Sequence, residues 1–203
     1  MNRSFQIRNC RFLICSAVLL CGIASTWAYF THGRILDNGF WAGTNTIEIQ
    51  EEYDPPKTLS VGENVFRKRV QVENTGTVPC FVRVFADFSD YEIREISEIS
   101  PNGTDYYPAD EFEEHMPVGW IRIHEEEDEL LGGFYYYTEA LEPDEVTVSL
   151  FEKIRCTFKN ADEIQPFDIL ISAESVQTRD CLGQVFEGGD AFRQAWTEYL
   201  ERR

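Results

Sequence analysis

Apolar and polar residues alternate along most of the chain, and this pattern predicts short β-strands. Residues 47–53 alternate with a period of two, as side chains on the two faces of a strand do. Asp54-Pro55-Pro56 ends that run, because proline has no amide hydrogen for a sheet ladder. Similar runs recur at 65–73, 79–88, 119–124, 134–137, 146–150, 154–158 and 167–173. About eight short strands with Pro and Gly turns favour an all-β fold, a jelly-roll or Ig-like antiparallel β-sandwich.

The strand pattern is interrupted once and gives way to another period at the C-terminus. Residues 89–118 carry Pro and Gly turns and several acids, so we expect an inserted loop region there. Near 190–202 the spacing predicts a short C-terminal α-helix, which we expect to pack on one edge or end of the sandwich. Its apolar positions are Phe192, Ala195, Trp196 and Tyr199. We therefore expect residues 29–203 to form a single domain.

Residues 1–28 have the organisation of a secretory signal peptide. Their only charges are three arginines, and the apolar run that follows spans about 13 residues, short of the roughly 20 that a membrane-spanning helix needs. Thr26 and Ala28 occupy the two small positions of a cleavage site, which makes Tyr29 the first residue of the mature chain. An uncleaved anchor is the alternative, and the large leucine before Cys21 disfavours lipid attachment there. We therefore predict a secreted or cell-surface protein.

The chain is strongly acidic. It has 36 Asp and Glu against 18 Lys and Arg, a formal net charge of −18 that becomes −21 when residues 1–28 and their three arginines are removed. Nucleic-acid binding requires the opposite charge, because positive side chains must displace phosphate counterions. We therefore expect neither nucleic acid nor, after cleavage, membrane as a partner. The aromatic share of 14% is too high for a disordered acidic tail.

The sequence lacks the motifs of the common enzyme classes. A zinc peptidase of the His-Glu-x-x-His type needs two histidines one helical turn apart, but His124 is followed by Asp128 at the second position. There is no Gly-x-Ser-x-Gly nucleophile turn. We therefore expect no catalytic residues and no cofactor. Asp105, Asp110 and Glu111 are candidate calcium ligands, and a solvated acidic loop is the alternative.

Three cysteines follow the signal region, Cys80, Cys156 and Cys181. An odd number permits at most one complete disulfide within the chain. Cys80 and Cys156 lie in strand-like runs, where two small buried thiols are the simpler interpretation.

The residues around the cleavage site resemble those of a known family. The segment Thr26-Trp27-Ala28-Tyr29-Phe30-Thr31 is similar to the signal junction of the TasA/camelysin proteins, which Gram-positive bacteria export and a dedicated SipW-type signal peptidase cuts. Val61-Gly62-Glu63, followed by a strand and the turn Asn74-Thr75-Gly76-Thr77, also resembles this family. His32 departs from it, because members often carry Asp or Asn there.

The resemblance implies a location and a role. It implies a jelly-roll protein at the surface of a Gram-positive bacterium and, as in the best-known members, assembly into the extracellular matrix of a biofilm. The implied partners are the signal peptidase, further copies of the chain and other matrix proteins. The alternatives are a monomeric surface module that binds a ligand or partner and, third, the metallopeptidase activity sometimes assigned to camelysin-type relatives.

Two aromatic stretches are candidates for association. Cleavage leaves an apolar N-terminal segment that either packs on its own domain or adds a strand to the open sheet edge of a neighbouring subunit. Its aromatic residues are Tyr29, Phe30, Phe40 and Trp41. The second stretch, Phe-Tyr-Tyr-Tyr at 134–137, faces both ways along a strand and either fills a core or exposes part of its rings.

Overall fold

The computed structural model describes residues 43–202, in which two antiparallel β-sheets pack face to face. The five-stranded sheet has the order β1-β2-β8-β4-β5 and the four-stranded sheet the order β6-β7-β3-β9. Helices α1 (Tyr91–Glu95) and α2 (Ala191–Glu201) and two 3-10 turns, Phe112–His115 and Ala161–Glu163, complete the elements. The strands are β1 (Ile47–Asp54), β2 (Gly62–Asn74), β3 (Cys80–Phe88), β4 (Ser97–Ser100), β5 (Tyr107–Pro108), β6 (Trp120–Ile123), β7 (Phe134–Tyr137), β8 (Phe151–Phe158) and β9 (Ile169–Gln177). The predicted antiparallel β-sandwich with a C-terminal helix is confirmed.

The main core lies between the two sheets and follows from the period-two pattern. On β2 the residues that point inward are buried, whereas their neighbours in sequence, all charged or polar except Val65, are exposed or partly exposed. A fully buried side chain of the size of leucine or phenylalanine contributes about 1.5–3 kcal/mol relative to an exposed one. The largest contributors from the five-stranded sheet are Phe66, Val70, Val72, Phe151, Ile154 and Phe158.

A second hydrophobic layer lies on the outer face of the four-stranded sheet. Phe81 on β3, Tyr136 on β7 and Val176 on β9 point away from the main core and are buried beneath α2. The helix contributes Phe192, Ala195 and Trp196 to this layer. It therefore packs on a face of the sheet and not on an edge or end of the sandwich, because β3 and β7 carry large apolar side chains on both faces.

Residues 89–118, expected to be an inserted loop region, contain two strands of the five-stranded sheet. β4 pairs with β8, with Ile99 opposite Ile154, and β5 extends the sheet by a further pair of residues. β4 is four residues long and Ile99 is its one apolar residue, so it shows no alternating pattern from which a strand could be predicted.

The turn after β2 is organised by one buried asparagine. The amide of Asn74 donates hydrogen bonds to the carbonyl oxygens of Val78 and Leu141, both at 2.9 Å, and its Oδ1 accepts one from the amide of Gly76 at 2.9 Å. Gly76 is required because a Cβ at this position would lie 2.3 Å from the carbonyl oxygen of Thr44. Asn74 therefore ties β2 to the start of β3 and to the segment around residue 141.

We expect Asn74→Ala to lower the free energy of unfolding by about 3 kcal/mol, because it leaves the Val78 carbonyl and the Gly76 amide without partners and removes one of the two hydrogen bonds to the Leu141 carbonyl. Urea unfolding followed by tryptophan fluorescence measures the loss. Asn160→Ala is the matched control, since Asn160 is exposed and its amide contacts only Glu163, and it should cost less than about 1 kcal/mol. Equal losses in the two variants would contradict this role for Asn74.

Candidate binding surface at a sheet edge

The two sheets end in four edge strands that differ in length and charge. β5 has two residues and β6 has four, so each offers a short template for pairing. β1 has eight residues, of which four are acidic, and such charge discourages a further strand. β9 has nine residues, and Glu174 is its only charged one. Among residues 43–202, β9 is therefore the long edge with the least protection.

The backbone of β9 offers hydrogen bonds on its outer side. At the two ends of the β3–β9 ladder, Ser89 N–H donates to the Asp168 carbonyl and Thr178 N–H to the Pro79 carbonyl. Along an antiparallel ladder, every second residue forms backbone hydrogen bonds to the neighbouring strand. The backbone N–H and C=O groups of odd-numbered residues in β9 therefore point away from β3. Ile169, Ile171 and Ala173 are such positions, and β9 is the last strand of its sheet in the described part of the chain.

The segment before β1 meets this edge at one point. Asn45 Nδ2 donates to the carbonyl oxygen of Ser175 at 3.1 Å, and Ser175 Oγ donates to Asn45 Oδ1 at 3.0 Å. These contacts occupy the outward-pointing carbonyl of Ser175 and place residue 45 beside the edge. The edge from residue 169 to residue 173 pairs with no other strand within 43–202.

A cleft of about 440 Å³ adjoins the same end of β9. It lies between β9, the turn at 179–186 and helix α2. The turn is held by Asp180, whose Oδ1 accepts the amides of Leu182 and Gln184 at 2.8 Å. The cleft walls mix apolar and charged side chains, among them Asn45, Arg179, Cys181, Phe186, Glu198 and Arg202.

The charged side chains around this cleft are engaged in local contacts. Arg202 forms an ion pair with Glu198, and a hydrogen bond to the Cys181 side chain raises the pKa of the Arg202 guanidinium. Arg179 donates to the carbonyl oxygen of Gly183 at 2.9 Å. Two exposed apolar side chains, Leu182 and Val185, stand on the neighbouring turn. The cleft walls therefore carry no net charge, because two arginines, Arg179 and Arg202, stand against two acids, Asp180 and Glu198.

A buried arginine holds α2 in place behind this surface. Arg83 is 4% exposed, and its Nε and one terminal nitrogen donate to Glu174 at 2.8 and 2.5 Å. Its guanidinium carbon lies 3.9 Å from the ring centre of Phe134 and 4.3 Å from that of Trp196, so the cation is stacked between two aromatic rings. Trp196 belongs to α2, and the stack therefore joins the helix to β3 and β7.

Tyr136 completes this arrangement beneath the helix. Its hydroxyl donates to the carbonyl oxygen of Leu131 at 2.6 Å and accepts from Arg83 at 3.3 Å. Burial raises the pKa of Tyr136, although Arg83 acts in the opposite direction. The interpretation of the aromatic strand at 134–137 as a core element is confirmed. Tyr135 and Tyr137 face the main core, and Tyr136 faces α2.

The structure places the other sequence-predicted residues apart from this surface or outside its range. Asp105 accepts a hydrogen bond from Asn102, and Asp110 pairs with Arg94. Within 43–202 no three His, Cys, Asp or Glu side chains gather as metal ligands would. The predicted cleavage residues Thr26, Ala28 and Tyr29 and the assembly residues Phe30, Phe40 and Trp41 lie outside the described residues.

The two histidines in the described range are engaged separately. His124 Nε2 lies 2.6 Å from Glu113 Oε2, and the His115 ring stacks on Tyr107 with ring centres 3.5 Å apart. Neither one belongs to a set of metal ligands there.

No protein-family model matches the chain, and no curated protein matches it either. Between residues 43 and 202, no helix is long and apolar enough to cross a membrane.

We expect Arg83→Lys to lower the free energy of unfolding by about 2 kcal/mol and to speed hydrogen exchange in α2. Lysine keeps the charge but loses the planar group that stacks and binds the carboxylate through two nitrogens. Arg155→Lys is the matched control, because Arg155 binds Glu98 in the same way and stacks on Tyr106 at a site that is partly open to solvent. It should cost less than about 1 kcal/mol. Equal effects, or unchanged exchange in α2, would show that the Arg83 stack does not hold the helix.

We expect the three cysteines at 80, 156 and 181 to differ in reactivity. Burial raises the pKa of the Cys80 thiol to about 11 and also raises that of Cys156, whereas Cys181 is exposed. Iodoacetamide at mildly alkaline pH should therefore label Cys181 in the folded chain and all three cysteines in urea, because the thiolate is the reactive form. Mass spectrometry of the labelled peptides measures this. A Cys80–Cys156 disulfide, or rapid labelling of Cys80 before unfolding, would contradict the expectation.

Proposed function

We propose that the protein is an exported structural component of an extracellular matrix, such as that of a biofilm, and that its subunits associate by strand addition. The observation that carries the proposal is the open, nearly uncharged edge of β9 at residues 169–173. An edge of this kind is a ready template for a strand from another chain. In this proposal the added strand comes from the N-terminal segment of a second copy.

The sequence supplies the support for export and for the donor strand. Residues 1–28 have signal-peptide character, and their junction resembles that of the TasA/camelysin proteins. Cleavage after Ala28 would leave Tyr29 and Phe30 at the start of the mature chain, with Phe40 and Trp41 before β1. Such aromatic side chains lose unfavourable contact with water when they pack against a neighbouring subunit.

Charge supports a regulated association. A mature chain of net charge −21 repels its own copies, and this repulsion weakens when salt screens it. The long and acidic β1 discourages pairing at that edge, so strand addition is directed to β9. A single donor and a single acceptor on each copy produce a head-to-tail chain of subunits.

Three chains test the proposal by analytical ultracentrifugation over a range of salt and pH. The first is 29–203, the second lacks residues 29–41, and the third is 29–203 with Ala173→Pro. Proline at 173 removes an outward-pointing amide but no hydrogen bond to β3, so it blocks the acceptor edge. We expect the first chain to assemble and the other two to stay monomeric.

A mixture of the Ala173→Pro chain and the shortened chain distinguishes strand addition from non-specific hydrophobic association. The Ala173→Pro chain keeps its donor and the shortened chain keeps its acceptor, so together they should form dimers and nothing larger. Replacing the four N-terminal aromatics by serine gives a control of unchanged length. Monomers of the 29–203 chain at every salt and pH tried would overturn the proposal.

A monomeric surface module that binds a ligand or partner is the second candidate, and the cleft beside β9 favours it. The cleft combines polar groups of Asn45 and Arg179 with apolar wall residues such as Val176 and Phe186. Backbone chemical-shift changes confined to the cleft on addition of a ligand, in a chain that stays monomeric, would favour this candidate over assembly.

A further inference from the structure

The loop between β4 and β5 is closed by the side chain of Asn102. Its Oδ1 accepts three hydrogen bonds, from the amide of Thr104 at 3.0 Å, the hydroxyl of Thr104 at 2.9 Å and the amide of Asp105 at 2.9 Å. Its Nδ2 donates to Asp105 Oδ2 at 2.7 Å. Gly103 follows with φ +79°, and Asn102, Thr104 and Asp105 are exposed to solvent.

We propose that Asn102 is a site of spontaneous deamidation that the folded loop promotes. The backbone nitrogen of Gly103 attacks the side-chain carbonyl carbon of Asn102, and the C–Nδ2 bond breaks to release ammonia. The product is a five-membered imide that joins the Asn102 side chain to the backbone. Water then opens either carbonyl of the imide and leaves aspartate or isoaspartate at 102, so the net change is loss of ammonia and gain of water.

The three donors on Oδ1 favour this reaction. Negative charge develops on the carbonyl oxygen when the nitrogen of Gly103 adds to the carbon. Fixed donors at about 2.9 Å stabilise such an oxyanion, as they do in acyl-transfer enzymes, and loss of one enzymatic donor costs on the order of 10²–10³ in rate. Here two of the donors are backbone amides and one is the Thr104 hydroxyl.

The reaction also needs a group that transfers the proton and an unobstructed approach of the attacking nitrogen. Asp105 provides the first and Gly103 the second. The Asp105 carboxylate accepts a hydrogen bond from the departing Nδ2. In this proposal it takes the proton that leaves the Gly103 nitrogen and passes it to the departing amine. Gly103 has no Cβ to obstruct the approach of its own nitrogen to the side chain before it. Asn102 also lies at the surface, where water for the second step is available.

The other asparagines within 43–202 lack this combination. Asn45, Asn64 and Asn74 are followed by Thr46, Val65 and Thr75, whose branched side chains crowd the attacking nitrogen. Asn64 and Asn74 are also buried, and the Asn45 side chain is bound to Ser175. Asn160 is exposed, but it precedes an alanine and its amide contacts Glu163. A second Asn-Gly pair, at 38–39, lies outside the described residues and provides a sequence comparator.

Deamidation would loosen the loop that covers part of the five-stranded sheet. The new carboxylate at 102 would face Asp105 at the position of the present hydrogen bond, so attraction becomes repulsion. The loop is held to β8 by Lys153, which donates to the Gly103 carbonyl at 2.9 Å, and by Tyr106, whose ring centre lies 4.4 Å from the Arg155 guanidinium. An isoaspartyl linkage would also lengthen the backbone and disturb both contacts.

The test is peptide mapping of the 29–203 chain during long incubation at neutral pH and body temperature. The mass change at Asn102 and the isoaspartyl content are measured in the folded chain and in urea. We expect Asn102 to convert about tenfold faster in the folded chain, while Asn160 stays intact. The Asn-Gly pair at 38–39 shows how fast the dipeptide converts elsewhere in the same sample.

Two substitutions separate the roles within the loop. Thr104→Val removes one donor to Oδ1, and Asp105→Asn removes the proton carrier while keeping a side chain of similar shape. Each should slow conversion of Asn102 severalfold in the folded chain and leave the rate in urea unchanged. Hydrogen exchange at residues 153–155 of each variant confirms that the loop remains in place before conversion. An intact Asn102 after the incubation, or equal rates in folded chain and urea, would overturn the proposal.

Discussion

The stacking of Arg83 between Phe134 and Trp196 is the interaction on which the arrangement of this surface depends. β3 and β7 present large side chains on both faces, so the four-stranded sheet needs a cover on the side away from the main core. α2 supplies that cover, and the guanidinium bound to Glu174 fixes its position. α2 covers a face of the sheet and not its edge. Among residues 43–202 the edge of β9 has no partner strand, and the cleft lies between β9 and α2.

The sheet edges are protected unequally. Short strands end one side of each sheet, and acidic residues mark the long edge at β1. β9 has neither form of protection along residues 169–173, and Asn45 occupies only the Ser175 position. In a protein with a large negative charge, the acidic edge at β1 repels an added strand more than the nearly uncharged edge at β9 does. Association is therefore favoured at β9. This is the physical basis on which we propose strand addition at β9.

The sequence pattern predicts most of the strands and the C-terminal helix, because long alternating runs leave little choice of structure. β4 and β5 could not be predicted in the same way, since Ile99 is the one apolar residue in β4. The position of α2 also could not be predicted from the periodicity of the sequence. The spacing of Phe192 and Trp196 shows which face of the helix is apolar but not which part of the sandwich that face covers. The Arg83 stack joins residues 83, 134 and 196, which only the folded chain brings together.

The candidate surface was predictable only in part. Aromatic residues near the N-terminus suggest a donor strand, but no pattern in residues 169–177 marks β9 as an edge, because strand order is a property of the assembled sheet. The composition of the Phe-Tyr-Tyr-Tyr strand is compatible with a core and with a binding face. The helix packed on Tyr136 shows that this residue belongs to a core.

Hydrogen exchange of the β9 backbone amides tests the central claim most directly. The outward-pointing amides of Ile171 and Ala173 should exchange quickly in the monomer and become strongly protected in the assembled 29–203 chain. The amides of Ser172 and Glu174, which point toward β3, should be protected in both states. Assemblies in which Ile171 and Ala173 still exchange as fast as in the monomer would contradict strand addition at this edge.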